Sequence, residues 1–277
     1  MTCCRLTRYS RAVRGFGRVA RIGLIAAATL APRWAFGGIA SSGPPQEPLL
    51  TSSRVGVESV WATFDVNGQR GEFVGVAARG DYRLSGRVGL RLEVPIYTLH
   101  LDGQETHAGL GDVELRVRVL VLDAHAWRLY AGLADQLPTG QTSLGIGQGA
   151  TQLTPYVTAG YRHNKLVVYG AVADAFVIRS PSATAAPDWV DPSTDHELRY
   201  GLGALLELSD AFYGNVAVTG ITELVPSSPG RSLCTGGASL GFQPNDHWKL
   251  VLGAQLPIAG EHRYDAKGLV SVYYFFH

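Results

Sequence analysis

"GLGDVELRVRVLVL", Gly109 to Leu122, sets Asp112, Glu114, Arg116 and Arg118 at every second position and fills the places between with Val113, Leu115, Val117, Val119 and Val121. A period of two is that of a β-strand, whose successive side chains point to opposite faces. One face of this segment is therefore charged and the other aliphatic. Such a strand fits a soluble sandwich, with core and water on its two sides. It fits equally a membrane barrel, with lipid outside and charge within. The rest of the chain has to decide.

Charge distribution gives the first answer. Arg5, Arg8, Arg11, Arg14, Arg18, Arg21 and Arg33 all precede the first acidic residue, Glu47. Within this basic region lies "IGLIAAATLA", Ile22 to Ala31, which is about half of the roughly twenty apolar residues needed to span a bilayer as a helix. Basic residues, a short apolar run and then small residues spell an export signal over 1–37, with cleavage near 37–40 after "WAFG" or "GIA". Its removal takes seven of the 24 Lys+Arg and none of the 23 Asp+Glu, so the mature chain is acidic and no nucleic-acid partner is expected. Cys3 and Cys4 leave with the signal, and Cys234 alone makes no internal disulfide. Beyond the signal no apolar stretch approaches eighteen residues, which excludes a helical membrane protein.

A lead-in rich in Pro, Ser and Gly, 38–53, precedes twelve predicted strands that fill 54–277. Their spans are 54–66, 71–83, 87–99, 110–122, 127–137, 151–162, 166–179, 196–208, 212–224, 232–243, 248–258 and 268–277. The tight connections "SG", "DAHA", "HNK", "SDA" and "PNDH" alternate with the long ones 100–109, 138–150, 180–195, 225–231 and 259–267. Outer-membrane barrels have this asymmetry, with short periplasmic turns and longer outer loops. Pro95, Pro138, Pro181, Pro226 and Pro257 each fall where a long loop begins, as expected of a residue that cannot donate to a ladder. Their early spacing, near 43 residues, also suits a β-propeller, but each period holds two long strands where a blade needs four short ones. The fold class expected is all-β, an antiparallel up-and-down transmembrane barrel of about twelve strands.

The parity of the opening segment extends along the chain. On the aliphatic parity near the short turns stand Tyr82, Trp127, Tyr161, Phe212, Phe242 and Trp248, the pattern of an aromatic girdle at a membrane interface. The opposite parity collects Arg79, Asp81, Arg83, Arg87, Arg91, Glu93, Asp112, Glu114, Arg116, Arg118, Arg128, Arg162, Glu197, Arg199, Glu207, Glu223 and Lys249, which are the expected lining of the lumen. Charges of both signs can pair across neighbouring strands and fill the bore, so a partly occluded interior is expected.

"GLGDVELRVRVLVL", "GLADQLPTG" (Gly132 to Gly140) and "GQGATQLTPYVTAGYR" (Gly147 to Arg162) resemble, in that order, the outer-membrane family named for the meta-pathway of phenol degradation. The resemblance covers about the central third of the mature chain. It implies a β-barrel channel for small molecules, often aromatic or hydrophobic, and it offers no catalytic residues. Outer-membrane lipid, lipopolysaccharide, the barrel-assembly machinery and a small-molecule solute are the partners that follow. The end "VSVYYFFH" departs from the usual final Phe by placing His277 after Phe276, although Val270, Val272, Tyr274 and Phe276 keep the alternation.

Other chemistry is weakly signalled, and no cofactor, metal or catalytic residue is expected. "SLGIGQG", Ser143 to Gly149, lacks the Lys-Ser/Thr of a phosphate loop and reads as a flexible outer loop. His100, Asp102, Glu105 and His107 share one loop, and Asp188, Asp191 and Asp195 share another. The second group has the oxygen ligands a hard cation wants, and a solvated loop is the plainer reading. The enzymatic alternative is an outer-membrane hydrolase, with His196 beside Ser193, or His163, as candidate residues. A non-transporting structural barrel is the other alternative, and twelve strands leave too narrow a bore for a general porin.

Overall fold

The computed structural model describes residues 53–276 apart from 67, 180–187, 226–229 and 262. The export signal, the lead-in up to residue 52, Pro181, Pro226 and His277 lie outside the described residues. The strands are β1 (Ser53–Val66), β2 (Gln69–Arg83), β3 (Val88–Leu101), β4 (His107–Leu110), β5 (Val113–Ala124), β6 (Trp127–Leu137), β7 (Thr151–His163), β8 (Leu166–Arg179), β9 (His196–Glu207), β10 (Phe212–Glu223), β11 (Ser232–Phe242), β12 (Trp248–Gly260) and β13 (Ala266–Phe276). All neighbours pair antiparallel, and β1 against β13, with Ser53 opposite Phe276, closes the wall. β4 and β5 both pair with β3 and together occupy one place, so the barrel is twelve-stranded.

Closure follows from the alternation. Val55, Val57, Val74, Val76, Leu115, Val117, Val119, Leu202, Val216, Val218, Leu252, Val270 and Val272 point outward and are exposed, while the residues between them are largely buried inside. A closed wall leaves no unpaired sheet edge. The tight turns use left-handed backbone where the strand twist demands it. His125 (φ 50°) and Asn164 (φ 52°) occupy two-residue hairpins, and Gly68 (φ 82°) turns β1 into β2.

Two expectations from the sequence are corrected. The fourth strand is not continuous over 110–122, because the chain leaves the ladder at Gly111 and Asp112. Pro95 does not begin a loop but lies within β3, opposite that break. Gly111 donates its N–H to the Pro95 carbonyl at 3.0 Å, so the side of Pro95 that lacks an N–H faces the place where its partner strand has departed. Pro257 likewise lies inside β12, paired with Thr235 next to a bulge at Ile258 of β12 itself.

Candidate functional site

The interior of the barrel collects the chemistry. Of the charged residues expected there, Arg79, Asp81, Arg91, Glu93, Asp112, Arg116, Glu197, Arg199, Glu223 and Lys249 are buried. Glu114, Arg118, Arg128 and Glu207 are half-buried, and Arg83, Arg87 and Arg162 are exposed at the short-turn end. Tyr82, Trp127, Tyr161, Phe212 and Trp248 are exposed near the same end, with Phe242 half-buried. Trp127 packs on Tyr161 (centroids 4.9 Å apart), Phe212 on Phe242 (4.7 Å) and Trp248 on Tyr274 (5.1 Å).

The buried charges form two networks. In the first, Asp81 accepts from Arg54 Nε at 2.8 Å and from Arg91 Nε at 2.7 Å, and Arg79 donates to Glu58. Arg54 also lies over the Tyr273 ring, 4.2 Å from its centroid. In the second, Glu197 binds Arg199 and Arg263, and Arg199 donates to Gln152 Oε1 at 2.9 Å. Burying such ions is tolerable only when each is paired and hydrogen-bonded. Arg54, Glu58 and Lys267 stand on the same inward parity as the expected set and were legible by that rule. Arg263 comes from a loop and carried no periodic signal.

Asp112 has a different task from lining a path. Having left the ladder, its carboxylate accepts the backbone N–H of Gly140 at 2.8 Å and of Gln148 at 2.6 Å, and so ties the 138–150 loop into the barrel. Within that loop Ile146 is fully buried and Ala150 nearly so. The glycines of "SLGIGQG" therefore serve close packing rather than flexibility. Gly145, Gly147 and Gly149 have positive φ, and a Cβ on Gly147 would sit 2.7 Å from the Gly140 Cα.

The 188–195 segment also turns inward, which corrects the reading of a solvated loop. Val190 is buried, Trp189 stacks on Phe64 at 5.7 Å, and Tyr264 Oη donates to the Val190 carbonyl at 2.6 Å. Asp188 Oδ1 accepts from the N–H groups of Val190 and Asp191, at 2.9 and 3.2 Å. Burial, followed by the neighbouring Asp191 carboxylate, pushes the Asp188 carboxyl up to about 7. Asp191 is raised by burial too, against the opposing pull of Arg199, Lys267 and Arg263. Beneath these two aspartates lies a cavity of about 40 Å³, lined among others by Glu93, Tyr97, Asp112, Glu114 and Arg199, with room for a few waters. Among the described residues no group of three or more His, Cys, Asp or Glu is placed to hold a metal ion.

The residues weighed for hydrolysis are not brought together. His196 Nε2 contacts Asp174 Oδ1 at 2.7 Å, while Ser193 Oγ accepts from Gln152 Nε2 at 3.2 Å. His163 meets its neighbour Asn164, at 3.3 Å.

No family model matches this sequence, and no curated protein matches it. Among solved structures the chain is similar to the COG4313 outer membrane channel from Pseudomonas putida F1, with a TM-score of 0.63 and 12% identity over 87% of this chain and 100% of that one. It is similar to a KdgM porin, with a TM-score of 0.54 and 11% identity over 80% of this chain and 99% of that one. The translocator domain of the autotransporter NalP from Neisseria meningitidis follows, with a TM-score of 0.51 and 14% identity over 82% and 90%. At such identities the likeness is one of fold, and the fold is the closed β-barrel of outer-membrane proteins.

Proposed function

We propose that this chain is an outer-membrane channel for small molecules, exported by its N-terminal signal and inserted by the barrel-assembly machinery. The observation that carries the reading is the polarity of the closed wall: exposed Val and Leu outside, paired charge inside. A soluble protein does not leave so continuous an aliphatic band in water, whereas lipid is a good solvent for it. Tyr82, Trp127, Tyr161, Phe212, Phe242 and Trp248 then form the girdle at the periplasmic interface of the outer membrane, and lipid and lipopolysaccharide are the surrounding partners. The inward loops make the path narrow and gated rather than open. The family resemblance adds small aromatic or hydrophobic compounds as the solute class. A hydrolase is the less favoured reading, since Ser193 and His196 are bonded to other partners.

Three measurements test this. The protein should fractionate with outer membranes, run at different mobility before and after heating in detergent gels, and give small, fluctuating conductance in planar bilayers. Recovery as a soluble periplasmic monomer would overturn the barrel's placement. Absence of both conductance and solute uptake, with ester hydrolysis abolished by His196→Ala, would replace the channel with the enzyme.

A further inference from the structure

At the short-turn mouth, on the inner side of β2, β3, β5 and β6, a second recess of about 20 Å³ is lined by Arg83, Ser85, Gly86, Arg87, Gly89, Arg118 and Tyr130, together with aliphatic groups. No carboxylate lines it. Arg83 donates from Nε to the Ser85 carbonyl at 3.2 Å, and among the described residues neither Arg83 nor Arg87 has an ion-pair partner. Two glycines let guanidinium groups lie along the backbone. A Cβ on Gly89 would come within 3.1 Å of Arg118 Nε, and one on Gly86 within 3.6 Å of a terminal nitrogen of Arg83. Tyr130, only 6% exposed, supplies an independent sign. Its Oη is buried and meets no partner in hydrogen-bond geometry among the described residues, although Arg128 lies beside it.

This arrangement contrasts with the arginines deeper in the barrel, each of which is matched to an acid. Arg54 and Arg91 share Asp81, and Arg116 has Glu114 at 2.6 Å. Arg83 and Arg87, neither of them in an ion pair among the described residues, beside a buried hydroxyl lacking an acceptor, make a place for an anion. The recess is small and opens into the mouth, so one end of an anion enters it while the rest stays outside, and the flat two-oxygen fork of a carboxylate matches the guanidinium geometry.

We propose that this recess binds the carboxylate end of a small organic anion, with Arg83 and Arg87 clamping the oxygens, the Tyr130 hydroxyl donating to one of them and Arg118 adding positive charge to the lining. The body of the anion lies in the open mouth. The inference rests on the channel reading only for how the anion reaches the site, and binding itself does not require conductance.

The test is calorimetric titration of the purified protein in detergent, at low ionic strength, with benzoate and separately with inorganic phosphate. Saturable one-to-one benzoate binding is expected, weakened about tenfold or more in the Arg83→Gln/Arg87→Gln double variant and a few-fold in Tyr130→Phe. Heat-modifiable gel mobility checks that each variant is folded. Should the double variant not fold, Arg87→Gln alone, at an exposed turn position, carries the same prediction with a smaller loss. No saturable benzoate binding, undiminished binding in the folded variants, or a preference for phosphate would each overturn the proposal. A protein that conducts ions without binding benzoate rejects this site and leaves the channel standing. One that binds benzoate without conducting does the reverse.

Discussion

The same three strands build opposite contents at their two ends. Toward the long loops, the inward positions of β1, β2 and β3 are Val60, Ala62, Phe64, Phe73, Leu99 and Leu101, all buried. Toward the short turns they are Arg54, Glu58, Arg79, Asp81 and Arg91. The difference tracks what covers each end. Ile146, Val190, Trp189 and Tyr264 arrive from loops and close over the apolar end, making there the dry core of an ordinary protein. Among the described residues nothing of this kind covers the other end, where Arg83, Arg87 and Arg162 are exposed. Where a plug supplies apolar partners, burial of Phe and Leu stabilises. Where the bore approaches water, charge is cheap at the rim and tolerable deeper down when paired.

If the charged half is a paired network rather than a loose polar lining, Asp81→Ala should be the most damaging single change. It leaves Arg54 and Arg91 buried without their acceptor, and removing one partner of a buried ion pair costs about 3–5 kcal/mol. Denaturant unfolding of the refolded barrel in detergent measures this, and a loss below about 1 kcal/mol would mean that water already reaches the network. Leu115→Arg probes the opposite face of the wall. An arginine at mid-membrane on the lipid side costs about 2–4 kcal/mol, so assembly should suffer. Leu99→Ser, on the inner side, should instead weaken the apolar plug and raise conductance while the wall still assembles.

A smaller effect separates the two ends by pH. Asp188 titrates near 7 with its loop tucked inward and near the usual carboxylate range when the loop is released. Between those limits the tucked state binds more protons, so its stability is full below the released pKa, falls as pH rises, and levels off above about 7. Conductance should therefore increase from about pH 4 to 7, by at most about tenfold per pH unit for a single proton. Asp188→Asn keeps an oxygen for the Val190 and Asp191 amides, and it should flatten that profile. An unchanged pH dependence in this variant would exclude Asp188 as the titrating group. Smallest of all is the short-turn mouth as an ion filter. Neutralising Arg83 and Arg87 to Gln should shift selectivity toward cations about twofold, because water-exposed charges interact by only about 0.5 kcal/mol. Reversal potentials across a salt gradient report it.

Much of the wall was legible from one residue in two. Charge on Asp112, Glu114, Arg116 and Arg118 against Val113 to Val121 announces a strand with unlike faces, and the Arg91–Glu93 and Glu197–Arg199 pairs repeat it. The spans of β6 and β8 are those expected, since a turn or a loop bounds each of them at both ends. The same rule hid the plug. Phe64, Phe73, Leu99 and Leu101 share the inward parity with the arginines, and apolar residues on both parities look locally like a strand buried on both sides.

What the sequence by itself determined is the period, and with it the strands, the turns and which face of each strand carries charge. These are local properties, because side-chain direction in a strand is fixed by the backbone of that strand alone. Tertiary structure decided where the loops go and what each inward charge meets. Asp112 reads as one more lining residue until the chain leaves the ladder beside Pro95 and the carboxylate finds the amides of Gly140 and Gln148. Asp188 and Asp191 read as solvated until Trp189 stacks on Phe64 and draws them inside. Those outcomes depend on residues brought together from separate strands and loops. Their spacing along the chain has no period, and their energies arise only once closure has excluded water from between them.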